Sequence, residues 1–358
     1  MSVKVYCHDS LEALAGTHKA AFEGAECVSF DLSLPWFANF LATTLGPQER
    51  LRVYVADDGE GRVAILPMCY DEGASRPRKM RSLANFYTAL YAPITSCGAG
   101  EELLGHALAP LRSDSPQWDE IDFSPLSTED GTFNALFNAL RNLGLLPFKY
   151  FCFGKWYLLV DGRSYAEYYE GLPSRLRNTV KRKSKQFFTD SGARLDIITG
   201  GDQIESGIAD YNKVYATSWK VEEPFPGFIP GLIRASAKQG WLRLGIAYVR
   251  GEPVAAQIWI VAHGRAAIFK LAYDEKFAPY SVGSVLSAHL MRHVLDVDKV
   301  REVDYLIGDD AYKRDWMSRR RERWGIVAYN PRTLLGLAGA LKQTLGGWRR
   351  FVLSYVKR

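Results

Sequence analysis

No apolar run in the sequence reaches the roughly 18 residues that a membrane-spanning helix needs. The opening residues, MSVKVYCHDSLEALAGTHKA, hold no apolar core of secretory-signal length, so a cytoplasmic protein is expected. Cysteine is sparse. The five residues at 7, 27, 69, 97 and 152 are odd in number, widely spaced and without a C-x-x-C pair, which excludes a disulfide framework and fits free thiols in a reducing compartment. No G-x-S-x-G elbow and no P-loop is present, and no Cys sits in a nucleophile motif, so covalent catalysis and nucleotide hydrolysis are disfavoured. His289 and His293 have a metal-compatible i, i+4 spacing, but no acid follows the first as in H-E-x-x-H, and no metal is expected. The net charge of +5 over 358 residues is too small to imply nucleic acid.

The informative part of the chain is residues 241–316. Leu242 to Tyr248 and Val254 to Val261 are β-rich apolar runs around Gly251 and Pro253, which predicts a hairpin. Ala267 to Tyr273 reads as a third strand. Ser281-Val282-Gly283-Ser284 then opens an apolar-periodic helix from Val285 to Leu295. A helix start carries unpaired backbone N–H groups to which phosphate oxygens can bond, and Gly283 is where a ligand can come nearest the backbone. Taken alone, such a glycine is compatible with an ordinary turn.

The surrounding residues resemble the Fem-like branch of the GNAT acyltransferases, a group associated with cellulose and exopolysaccharide biosynthesis. The resemblance is carried by Gly251 to Gln257, Lys270 to Asp274, the Ser281–Ser284 turn and Asp304 to Lys313, within a region from Leu172 to Tyr329. In the family's Ser-Pro-Gly turn, Val282 here takes the Pro position and the glycine is kept. The resemblance implies acyl-CoA as co-substrate. Its pyrophosphate would lie on the backbone of Ser281, Val282, Gly283, Ser284 and Val285, and its pantetheine along the strand bearing Lys270, Ala272 and Tyr273. It further implies Tyr312 as proton donor to the leaving thiolate, Asp309 or Asp310 as acceptor of the amine proton, and Lys313 as a stabiliser of charge on the acyl oxygen. Asp309-Asp310 also suits a plain turn or helix cap. Arg175, Arg177, Trp219, Glu222, Gln257 and Asp304 are the residues expected around the acceptor.

The first half echoes the second. Leu51 to Ala56, Gly59 to Arg62 and Val63 to Met68 repeat the strand, turn and strand of the hairpin, and Trp118 to Phe123 echoes Val300 to Tyr305. The expected fold is therefore α/β with mixed sheets: two tandem GNAT-like units, the first (1–150) degenerate, the second (151–332) catalytic, and a basic amphipathic helix over 333–358. The first unit is expected to lack a glycine turn opening a helix. Thr132 to Asn142 reads as a helix, and Trp156 to Val160 as a strand shared between the halves.

Three further features each have two readings. Leu172 to Lys185 holds six cations and no acid; it is either a solvated helix with an apolar stripe or an electropositive wall for an anionic substrate, a coenzyme or tRNA. The loop bearing Trp219, Glu222, Glu223 and Phe228 either caps a core or binds the acceptor. In the tail, Leu334, Leu337, Leu341, Leu345, Trp348, Val352 and Tyr355 fall at helical spacing among Lys342, Arg349, Arg350, Lys357 and Arg358. Such a stripe ordinarily packs on its own domain, and it also suits reversible contact with the inner face of an anionic membrane. The leading functional expectation is acyl transfer to a sugar, amino acid or polysaccharide precursor. The alternatives are an aminoacyl-tRNA-dependent ligase of the Fem type, the one case with a nucleic-acid partner, and a non-catalytic scaffold of an envelope-polymer complex.

Overall fold

The computed structural model describes residues 3–73, 76–96, 100–114, 117–189 and 192–356; Cys97, Lys357 and Arg358 lie outside the described residues, as do the side chains of 346–356. The strands, in chain order, are β1 (Lys4–His8), β2 (Glu49–Asp57), β3 (Val63–Asp71), β4 (Lys79–Ser82), β5 (Ile94–Thr95), β6 (Glu120–Ser127), β7 (Leu146–Leu159), β8 (Arg194–Ile198), β9 (Leu242–Val249), β10 (Glu252–Ala262), β11 (Arg265–Tyr273), β12 (Glu302–Asp304) and β13 (Arg319–Tyr329). They belong to two compact units: residues 1–38, 45–153 and 322–358 form the first, and 39–44 with 154–321 the second.

The two units have the same sheet. In the first, the order is β1-β2-β3-β4-β6-β13, with β4 and β6 parallel over Lys79–Arg81 and Glu120–Asp122. In the second it is β8-β9-β10-β11-β12-β7, with β11 and β12 parallel over Arg265–Ala267 and Glu302–Asp304. Every other neighbouring pair in both lists is antiparallel. The repeat read in the sequence is thus a tandem α/β, GNAT-like fold.

The unit ends differ from those read in the sequence. The chain passes from first to second unit at Phe153/Gly154 and returns at Arg321/Glu322, not at 150/151 and 332/333. Strand pairing is the reason: β13 aligns with β6 from Arg323↔Ser127 to Tyr329↔Glu120, while Tyr157–Leu159 of β7 pairs with β12. Each sheet is completed by a strand drawn from the other half of the sequence.

A second correction concerns the first unit's helix. Glu101–Leu108 does open on a glycine, Gly100, but it has eight residues against fifteen for Val282–Asp296 in the second unit. Its first turn carries Glu101 and Glu102, whose charge repels an anion at a helix N-terminus. A glycine turn is thus present in the first unit, but the charge at its helix start disfavours an anion there.

In the second unit one face of the sheet is covered by the Val282–Asp296 helix, whose Val282, Val285, Leu286, Leu290, Met291 and Val294 are buried against β9 to β11, and the helix Ile204–Ala216, with Ile208, Tyr211 and Val214 buried, also packs on β9 to β11. The Val282–Asp296 helix lies close because β9 presents Gly245. A Cβ there would stand 2.7 Å from Leu290 Cδ1 and 3.1 Å from Leu286 Cδ1.

Of the two readings of the tail, packing of the leucine stripe on its own domain is the one the structure departs from. The helix Leu334–Val356 turns its small residues inward. Gly336 is so close to the first unit that a Cβ would lie 2.2 Å from the Asn330 carbonyl oxygen, and one on Gly339 would lie 2.6 Å from the Tyr329 ring. Ala340 is buried, whereas Leu334, Leu337, Leu341 and Leu345 are exposed.

Gly245→Val is expected to overpack the helix and lower stability by about 1–3 kcal/mol, measured by urea unfolding; an unchanged midpoint would mean that the helix is free to shift.

Candidate active site

Asp304 is where β11 and β12 part. Beyond Ala267↔Asp304 the two strands make no further pair, although β11 continues to Tyr273 along β10. The chain after β12 follows β7 instead: Tyr305 N–H donates to the Trp156 carbonyl at 2.9 Å, and Gly308 bridges to Lys155. The Asp304 carboxylate makes this turn, accepting the Leu306 N–H at 2.7 Å, with Leu306 in the left-handed region at φ 53. A cleft results, with the edge of β11 on one side and Tyr305 to Gly308 on the other.

Beneath the cleft lies a buried ion network. Lys155 Nζ is 2.8 Å and Arg321 Nη2 2.6 Å from Asp304 Oδ2, Arg321 also bonds Glu302, and its guanidinium lies over the Tyr157 ring at 4.0 Å. Burial alone would raise the Asp304 pKa, but Lys155 and Arg321 hold it down at about 2. Asp304, expected at the acceptor, therefore spends its carboxylate on the frame.

Gln257 departs from its expected place in the same way. It is fully buried; its Nε2 donates to the Gly283 carbonyl and to Ser287 Oγ, both at 2.9 Å, while Oε1 accepts the Trp259 indole N–H. No face of it reaches a ligand. It pins the first turn of the helix from below.

At that turn Ser281 takes a left-handed conformation (φ 49, ψ 41) and its carbonyl accepts the N–H groups of Ser284 and Val285. Among the described hydrogen bonds those of Val282 and Gly283 have no acceptor, the arrangement of a helix N-terminus open to an anion. A Cβ on Gly283 would come to 3.3 Å from the Tyr273 ring, so a larger residue would crowd β11 where it ends. On β11 the register slips between Ile258↔Lys270 and Trp259↔Ile268, making Phe269 the extra residue of a bulge, a device that re-aims backbone groups beside sites. Ala272 is buried in the strand.

The residues after the cleft strand come together as a cluster. Lys313 Nζ donates to the Ile307 carbonyl at 2.6 Å and the Gly308 carbonyl at 3.2 Å and lies 3.1 Å from Asp310 Oδ2. With its three donors engaged it shapes the loop. Asp309 accepts the Trp156 indole N–H at 2.7 Å and pairs with Arg320 at 2.8 Å; Arg320 first, and Trp156, hold its carboxyl below the usual range. Asp310 points its carboxylate largely to solvent. Tyr312 stands edge-on to buried Tyr305 at 5.8 Å, and desolvation with the nearby Asp310 charge pushes its phenol up to about 12.

On the other side of β11, Lys270 pairs with Glu223 at 2.7 Å. Trp219 packs on Tyr273, ring centroids 4.6 Å apart, and Lys220 lies over the Trp219 ring. Desolvation, then the neighbouring Lys270, lower the Lys220 pKa, and the charges of Glu223, Lys313 and Asp310 also reach it. A cavity of about 420 Å³ opens here, lined by Tyr211, Tyr215, Lys220, Glu222, Glu223 and Ile229 among others. Lys220 and Tyr215 were not singled out from the sequence, since only the fold brings them beside Lys270. The basic helix Ser174–Phe187 leaves Arg175, Lys181, Arg182 and Lys185 exposed, ties Arg177 to Glu170 at 2.7 Å, and touches the turn through Lys183 and the Pro279 carbonyl.

Residues 174–314 match the acetyltransferase (GNAT) domain family. The whole fold is also similar to solved structures. FemX aligns with TM-score 0.64 at 10% identity, over 92% of this chain and 97% of that one. L-PGS from Bacillus licheniformis gives TM-score 0.53 at 12%, over 94% and 95%, and a tandem GNAT protein from the clavulanic acid biosynthesis pathway 0.51 at 13%, over 92% and 99%. No curated protein sequence matches the chain. The parted strands, the bulged β11 and the open helix N-terminus lie within the residues that match this family. No helix among the described residues is long and apolar enough to cross a membrane, and no group of three or more His, Cys, Asp or Glu among them could hold a metal.

Asp304→Asn is expected to destabilise the protein by about 3–5 kcal/mol at neutral pH by leaving Lys155 and Arg321 uncompensated. Because the folded pKa lies below the ordinary value near ~4, this contribution is complete above that pH and fades as the pH falls through about 2. Urea unfolding of both proteins should show the gap closing towards low pH; a constant gap would exclude the ionic origin.

Proposed function

We propose that the protein transfers an acyl group directly from acyl-CoA to an amine or hydroxyl of a small acceptor such as a sugar, an amino acid or a polysaccharide precursor. The observation that carries this reading is the cleft where β11 parts from β12, beside a helix turn whose Val282 and Gly283 N–H groups are open. The pyrophosphate of the coenzyme fits those donors, which carry the positive end of the helix dipole. The extended pantetheine fits the edge of β11. The coenzyme supplies an acyl group already activated as a thioester.

The residues of the chain then divide the work. Backbone N–H groups at the β11 bulge receive the negative charge that grows on the carbonyl oxygen as the acceptor's lone pair attacks. Tyr312, its phenol protonated throughout the physiological range, gives its proton to the sulfur as the C–S bond breaks. Asp310 takes the acceptor's proton and returns one to Tyr312; the Asp309 carboxylate is already engaged by Arg320 and the Trp156 indole N–H. Lys313 keeps the Ile307–Asp310 loop in register, and the cavity bounded by Tyr215, Lys220, Glu222 and Glu223 takes the acceptor.

An aminoacyl-tRNA donor would instead use the exposed cations of the basic helix, and a scaffold would use neither surface. Calorimetric titration with acetyl-CoA and longer acyl-CoAs separates these readings. Saturable binding is expected for the native chain and none for Gly283→Trp, whose ring would displace Tyr273; absence of binding by any acyl-CoA would sink the proposal. Tyr312→Phe should keep binding while kcat falls about 100-fold, and an unaltered kcat would remove Tyr312 from the reaction.

A further inference from the structure

The tail helix is built inside out for a helix that serves only its own domain. A surface helix ordinarily buries its large apolar residues and shows its small and polar ones to water. Here Gly336, Gly339 and Ala340 face the first unit, close enough that side chains at the two glycines would clash with Asn330, Asp119 and Tyr329. Leu334, Leu337, Leu341 and Leu345, three and four residues apart and so on one face, are 86%, 42%, 57% and 70% exposed. Exposed leucines scattered singly would need no explanation, but a row extending about 16 Å along one helix does. The glycines set this orientation, because only the glycine face admits the Tyr329 ring and the Asn330 carbonyl so closely.

The charge on the same helix says what covers it. From Leu334 to the end the sequence has Lys342, Arg349, Arg350, Lys357 and Arg358 and neither Asp nor Glu. Lys342 is exposed next to Leu341. A second copy of this chain would bring the same uncompensated positive charge against itself, whereas an anionic lipid surface offers the opposite sign together with an apolar layer for the leucines. The tail also holds Trp348, Phe351 and Tyr355, residue types enriched at the headgroup level of bilayers.

We propose that the outward leucine face of the Leu334–Val356 helix seats the protein on the surface of an anionic phospholipid bilayer, lying in the interface without crossing it. This holds whatever donor or acceptor the second unit uses.

The test is co-sedimentation of the full chain with vesicles of phosphatidylglycerol and phosphatidylethanolamine, against vesicles of phosphatidylcholine alone. Binding to the anionic vesicles is expected to exceed that to the neutral ones by about tenfold or more at low salt and to weaken as salt rises. The double variant Leu337→Gln, Leu341→Gln should lose this binding while keeping its circular dichroism and urea midpoint, since both side chains are exposed. Lys342→Glu should weaken it. Equal binding to both vesicles, binding to neither, or a double variant that binds as well as the native chain would overturn the proposal. So would light scattering that gives a dimer in the native chain and a monomer in the double variant without any lipid binding; the face would then belong to a second copy.

Discussion

The parting of β11 from β12 rests on one buried carboxylate. Asp304 is held by Lys155 and Arg321, and its other oxygen takes the Leu306 N–H, so it ends the parallel pairing and swings the chain onto β7 in a single step. Take that interaction away and the edge of β11 has no reason to stay open. The cost of burying these charges is balanced only because the partners are close and enclosed. This makes the cleft a property of the frame, not of mobile loops.

Around this opening the second unit uses its polar groups in two ways. Some are consumed in holding geometry: Gln257 under the helix turn, Lys313 in the carbonyls of its own loop, Asp309 in the Arg320 and Trp156 pair. Others are left open: the Val282 and Gly283 N–H groups have no acceptor among the described hydrogen bonds, Asp310 is largely exposed, and Lys220 lines the cavity. The first unit keeps the same strand order, but Glu101 and Glu102 stand in the first turn of its corresponding helix.

Much of this was legible in residue patterns. The hairpin of β9 and β10, the strand ending at Tyr273 and the following helix are all marked by periodicity and turn residues, and the repeated order of apolar runs gave away the tandem units. The helix Thr132–Asn142 was readable to its ends. What escaped depends on packing at a distance. Asp304 and Gln257 are polar residues next to motif glycines, and only burial shows that they serve the frame. Lys220 and Tyr215 belong to a loop and a helix whose approach to Lys270 no local pattern encodes. The tail is legible as a helix, but which way its leucines turn is set by the sterics of Gly336 and Gly339 against Tyr329 and Asn330, which hydropathy does not encode.

The exchange of β7 and β13 bears on how such a chain is made. A ribosome delivers β6 early, yet the strand that pairs with it, β13, emerges only after the whole of the second unit has been synthesised. Until then one edge of β6 stays open, an exposed template for another chain. A cut between the halves yields two pieces that each lack a strand, and a pairing of such long sequence separation is a mark of slow folding.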